Sequence, residues 1–117
     1  MKRKYGDYIE DIVEAMSKVK KFTKNMSYQD FIKDEKTVFA VVRALEIIGE
    51  AAKNIPESLR RKYPEIPWKD MAGMRDKLIH EYFGAKLEVV WDTVKVEIPA
   101  LRLKFRRIVK DFKKSGE

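Results

Sequence analysis

Asp34-Glu35-Lys36-Thr37-Val38-Phe39-Ala40-Val41-Val42-Arg43-Ala44-Leu45-Glu46-Ile47-Ile48-Gly49-Glu50-Ala51-Ala52-Lys53-Asn54-Ile55 carries a long, unbroken helical pattern. Val38, Val41, Val42, Leu45, Ile48, Ala52 and Ile55 recur three and four residues apart, the spacing that lines one side of an α-helix. Asp34 stands just ahead, where its carboxylate can accept from the open amides of the first turn. Moving toward the N-terminus, Ser27 followed by Asp30 reads as a capping box opening a short helical turn, Tyr28–Lys33. Further back, Ile9, Ile12, Val13, Met16 and Val19 form one stripe on a helix of residues 5–25.

Toward the C-terminus, Pro56 suits the first turn of a short helix, Glu57–Arg61. The prolines in Tyr63-Pro64-Glu65-Ile66-Pro67 enforce an extended connection. A third main helix is predicted from Trp68 to about Phe83, stopped by Gly84. Leu87, Val90, Trp91 and Val94 begin the last helix, which Pro99 should kink or break. Leu101, Phe105, Ile108, Val109 and Phe112 then resume a stripe. The expectation is an all-α, antiparallel up-and-down bundle forming a single domain over residues 1–117, with a basic C-terminal helix after Pro99.

Composition narrows the function. The 117 residues are 44% hydrophobic, enough for one core, and no apolar run approaches the roughly 20 residues that span a bilayer. Met1-Lys2-Arg3-Lys4-Tyr5-Gly6-Asp7 turns acidic too early for a signal peptide, so a cytoplasmic protein without membrane contact is expected. Cysteine is absent, which excludes disulfides, thiolate catalysis and cysteine-ligated metal. His80 is the sole histidine, too few for a multi-histidine metal site in one chain, and no metal site is expected. Three amides (Asn25, Gln29, Asn54) beside 38% charged residues resemble a thermophile composition. The formal charge of +7 is uneven: from Ala100 onward there are seven Lys or Arg and two acids.

The chemically informative segment is Gly73-Met74-Arg75-Asp76-Lys77-Leu78-Ile79-His80-Glu81-Tyr82-Phe83. Arg75, His80 and Tyr82 supply a fixed cation, a group titrating near neutrality and a phenol, the types phosphate chemistry needs. Asp76 and His80 are four apart and can touch, whereas Arg75 and His80 differ by about 140° around a helix. Spacing alone does not define a site here. A single helical histidine is more often a surface or satisfied core residue, Tyr82 also reads as packing, and Arg75 with Asp76 also reads as a solvated face. Arg43, Glu46 and Glu50, within about 80° of one another, read first as an ion-pair face and second as support for a site. The basic residues Arg102, Lys104, Arg106, Arg107, Lys110, Lys113 and Lys114 read first as a helix's wet face and second as an RNA-backbone track. The cluster Lys18, Lys20, Lys21 and Lys24 carries the same two readings. Trp68 and Trp91 read as core anchors.

The chain resembles the HepT-like branch of the HEPN superfamily, ribonuclease toxins paired with small nucleotidyltransferases. Arg75-Asp76-Lys77-Leu78-Ile79-His80-Glu81-Tyr82 is similar to the family signature of Arg, a polar residue, three variable residues, His, any residue and Tyr. The resemblance extends to Asp7-Tyr8-Ile9-Glu10-Asp11-Ile12, to Arg43–Ala52, to Tyr63–Trp68 and to Val90-Trp91-Asp92-Thr93, covering roughly residues 5–100 in order. Asp76 stands where Asn is commoner, and the extension after Pro99 is less characteristic.

The resemblance implies a metal-independent endoribonuclease that needs no cofactor to cleave RNA. The ribose 2′-OH attacks the adjacent phosphorus, leaving a 2′,3′-cyclic phosphate. His80 is implied as acid/base, Arg75 as stabiliser of the phosphoryl transition state, and Asp76 as the group positioning His80. A symmetric homodimer would place two copies of His80 in one cleft. The implied partner is an MNT-type nucleotidyltransferase antitoxin that uses ATP to place AMP on Tyr82. The alternative is an inactive helical subunit that docks such a nucleotidyltransferase and helps present nucleotide. DNA binding finds no helix-turn-helix spacing to support it.

Overall fold

A computed structural model describes residues 5–74, 76 and 86–115. Its helices are α1 (Tyr5–Phe22), α2 (Tyr28–Lys33), α3 (Glu35–Lys53), α4 (Glu57–Lys62), α5 (Trp68–Ala72), α6 (Leu87–Asp92) and α7 (Ile98–Ser115), with a π-helical turn, Thr93–Glu97, between the last two. No strand occurs among the described residues, so the fold is all-α.

All seven residues of the α3 stripe are buried, and so are Ala44, Gly49 and Ala51. The buried face is wider than one stripe because α3 is central, packing against α1, α2 and α5. Its seam with α1, which buries Ile9, Ile12, Met16 and Val19, is the most extensive helix contact among the described residues. Each fully buried aliphatic side chain contributes about 1.5–3 kcal/mol on leaving water. An exposed pair such as Glu14–Lys18, at 3.3 Å, contributes about 0–1 kcal/mol, so the apolar seam holds the helices together.

The caps follow the sequence. Ser27 Oγ accepts from Asp30 N at 3.1 Å and Ser27 N donates back to Asp30 at 3.0 Å, closing the capping box. Asp34 accepts from Thr37 N at 3.1 Å and from Thr37 Oγ1 at 2.7 Å, and those bonds hold its carboxyl below the usual value. A lowered carboxyl pKa stabilises the fold above the unfolded-state value and loses that contribution as pH falls through the folded one. Asp34→Asn keeps an accepting cap but removes the titration. The variant's stability should therefore fall less steeply than wild type's below about pH 4, as read by acid unfolding curves; superimposable limbs would contradict it.

Three boundaries differ from expectation. α1 stops at Phe22, not residue 25, because Asn25 takes φ 63° and Met26 N turns back to Thr23 O at 3.1 Å. Asn tolerates that left-handed conformation better than most residues. α5 ends at Ala72 rather than running unbroken from Trp68; Gly73, a weak helix former, sits at φ −80°, ψ −8°, and Met74 and Asp76 are helical again. The remainder of that helix and the stop at Gly84 lie outside the described residues. Pro99 does not break the last helix. The π turn ahead of it carries Ile98 N to Thr93 O, five residues back. This wider turn accommodates a ring that would otherwise clash with the carbonyl four residues earlier.

The basic C-terminal helix belongs to the core. Leu101, Phe105 and Ile108 are buried, and α7 packs on α1. It is stapled to the extended connection: Arg107 pairs with Glu65 at 3.1 Å, donates to Lys62 O at 3.1 Å and lies 4.8 Å over the Tyr63 ring. Tyr63, 1% exposed, donates its hydroxyl to Asp111 at 2.6 Å. Burial, then the Asp111 bond and charge, push this phenol up to about 12. A raised value favours the protonated form in the fold, so its stabilisation is whole below about pH 10 and fades toward pH 12. Tyr63→Phe keeps the packing but takes away the Asp111 donor. It should cost about 1–3 kcal/mol in urea unfolding at neutral pH, with the gap to wild type narrowing above pH 10; a neutral variant would contradict the staple.

Candidate active site

Only one residue of the proposed catalytic set, Asp76, is described; Arg75, His80 and Tyr82 lie outside the described residues. The approach to them is well anchored. Trp68 is buried, donates its indole N–H to Tyr63 O at 3.0 Å and meets Phe105 edge-on at 5.6 Å. Met71 is buried one turn on, and Met74 packs against the same core. These contacts fix the segment entering the motif on the flank of α3.

Asp76 is exposed and its carboxylate lies 3.9 Å from Lys53 Nζ at the end of α3. On the same helix Arg43 reaches Glu50 at 3.5 Å and Glu46 at 4.0 Å. Arg43, Glu46 and Glu50 thus form the ion-pair face that spacing favoured. Lys53, three residues beyond Glu50, continues that face to the motif. About 15 Å of helix separates Arg43 from Lys53, so a strip of mixed charge runs along α3 and ends at Asp76. Lys53 was missed by sequence reading. The available signal was its helical spacing from Glu50; the pairing itself is tertiary.

The end of α3 is fixed by another unread contact. Arg60 of α4 donates to Ala52 O at 2.8 Å and to Ile55 O at 3.0 Å, while Asn54 donates to Glu50 O at 2.9 Å. A guanidinium on terminal carbonyls satisfies their lone pairs and opposes the negative end of the helix dipole. Lys53 is therefore held on a well-capped terminus. Trp91 is half-buried and packs on Phe31 at 5.0 Å and Tyr28 at 6.2 Å.

The chain matches the HepT-like ribonuclease family over residues 12–108. It belongs to that family. The match runs past Pro99 to Ile108, further than the sequence resemblance extended, and agrees with the buried face of α7. Relatives include a "Probable ribonuclease HepT" of Thermococcus cleftensis, 56% identical over 94% of this chain and 100% of the relative. A "Putative RNase" of Methanocaldococcus jannaschii is 50% identical over 99% of this chain and 96% of its own. Another "Putative RNase", from Caldanaerobacter subterraneus, is 46% identical over 87% and 91%. No solved structure matches the chain. This HepT-like chain carries the all-α HEPN fold, and no helix among its described residues is long and apolar enough to cross a membrane.

Proposed function

We propose that this HepT-like chain is an endoribonuclease toxin that cleaves RNA without metal and is neutralised by an MNT-type nucleotidyltransferase antitoxin. What carries the reading is the family match across residues 12–108 with Arg75, Asp76, His80 and Tyr82 all present at signature spacing. In the proposed step the 2′-oxygen forms a bond to phosphorus as the bond to the 5′-oxygen breaks. His80 takes the 2′-OH proton, and an acid returns a proton to the leaving oxygen, giving a 2′,3′-cyclic phosphate and a 5′-OH. Arg75 neutralises the charge that grows on the phosphoryl oxygens. One histidine per chain cannot serve as base and acid at once, so we place two copies of His80 in one cleft of a symmetric dimer.

Asp76 is assigned to positioning His80, and its approach to Lys53 supplies a cation beside that carboxylate. The Arg43, Glu46 and Glu50 pairs lie further back along α3, away from the Lys53 end. The deciding experiment compares wild type with His80→Ala on RNA in the presence of EDTA. Cleavage by wild type alone supports the reading. Cleavage by neither protein would leave an inactive docking subunit as the better account.

A further inference from the structure

Between α1 and α7 runs a groove of ≈ 800 Å³ that the active-site proposal does not use. Its accessible apolar lining is Val13, Pro99, Leu103 and Val109, laid over buried Met16, Val94 and Ile98. Lys20 and Lys24 rim one side, while Arg102, Arg106, Lys110 and Lys113 rim the other. No acidic residue lines it among the described residues. Lys95, also in the lining, lies 4.6 Å over the Trp91 ring. Asp111, the acid next to Lys110 in sequence, is engaged with Tyr63 instead.

The α7 rim is unusual for a solvated face. Arg102, Arg106 and Lys110 follow one another at four-residue spacing, where like charges repel along a helix. Leu103, between the first two, is 60% exposed. An acidic occupant would relieve the repulsion and cover the leucine together.

We propose that the groove docks an acidic amphipathic α-helix of a partner protein, its apolar stripe on the floor and its Asp and Glu residues against both rims. A second copy of this chain fits poorly. A two-fold contact through the groove would set cations against cations. The chain's own acidic helix, α1 with Asp7, Glu10 and Asp11, has already buried Ile9, Ile12 and Met16 in its core. Single-stranded RNA matches the charge but not the floor. The aromatic residue in the lining, Phe105, is 1% exposed and gives bases no face on which to stack.

The test is fluorescence anisotropy of the full-length protein with a labelled peptide of about 18 residues, five turns of helix, bearing a leucine stripe flanked by glutamates. Its controls are a scrambled peptide of identical composition and a labelled oligouridylate. Leu103 and Arg106 are exposed, so Leu103→Asp and Arg106→Glu should fold, as checked by circular dichroism. The expected result is that the ordered peptide binds about tenfold or more tightly than the scrambled one. Each substitution should weaken it by a similar factor, roughly tenfold. Equal binding of both peptides, no binding of the ordered one, or indifference to Leu103→Asp would overturn the proposal. Oligouridylate binding that depends on Arg106 without peptide binding would make the groove an RNA path, also against it. A dimer dissociated by Leu103→Asp on gel filtration would show a second copy in the groove, again overturning it.

Discussion

His80→Ala is expected to reduce RNA cleavage by about 10²–10⁴-fold, the usual contribution of a positioned acid or base, with EDTA leaving wild-type cleavage unchanged. The expectation rests on a count. Internal transesterification moves two protons, one off the 2′-oxygen and one onto the 5′-oxygen, and each chain has one histidine. If the cleft combines two chains, mixing wild type with His80→Ala produces dimers holding a single imidazole. Activity should then fall as the square of the wild-type fraction. A linear fall would mean that one histidine suffices, with water, Lys77 or Tyr82 carrying the other proton. Wild-type rates in the pure variant would remove the mechanism.

The control is Arg75→Lys, which keeps the charge but loses the planar fork that can grip two phosphoryl oxygens. Its loss should appear in kcat more than in KM, since the charge it meets is largest in the transition state. A raised KM with kcat unchanged would point to ordinary phosphate binding.

The parts of this fold legible in the sequence are those governed by local spacing. The stripe from Val38 to Ile55, the Ser27–Asp30 box and the Asp34 cap depend on residues three or four apart, and the structure holds each of them. Contacts over longer separations were not readable. Arg60 capping Ala52 and Ile55, Lys53 reaching Asp76, and Tyr63 bonding Asp111 depend on how helices pack. Pro99 shows an intermediate case. Its lost donor was plain, but the chain accommodates it in a π turn rather than by breaking the helix. The basic tail shows a charge count misleading about place: Arg107 staples a core helix, while Arg102 and Lys110 face an apolar groove. For the site itself, residue types and spacing were legible, and its convergence is a matter of the dimer proposed for His80.

Tyr82→Phe is expected to abolish neutralisation by the nucleotidyltransferase. Incubated with that partner and ATP, the wild-type chain should gain the mass of AMP and lose RNA cleavage; the variant should gain none and keep cutting. In the proposed transfer the Tyr82 phenolic oxygen bonds to the α-phosphorus of ATP, pyrophosphate leaves, and the phenolic proton passes to solvent. Arg75 and Tyr82 are seven residues apart in sequence; in the helix that the sequence predicts from Trp68 to about Phe83 they would share one side, about 10.5 Å apart along the axis. A tyrosine-linked phosphodiester and an arginine side chain can close that span. The adduct thus puts a negative charge where the RNA phosphate would bind and occupies the guanidinium that would stabilise its transition state. Adenosine bulk adds a steric block. With two histidines supplying both protons, loss of the phenol leaves cleavage intact in the absence of the partner. An inactive Tyr82→Phe would instead make Tyr82 the second proton carrier. Neutralisation of Tyr82→Phe without an adduct would mean that the partner blocks the cleft by docking alone, and the transfer reading would fall.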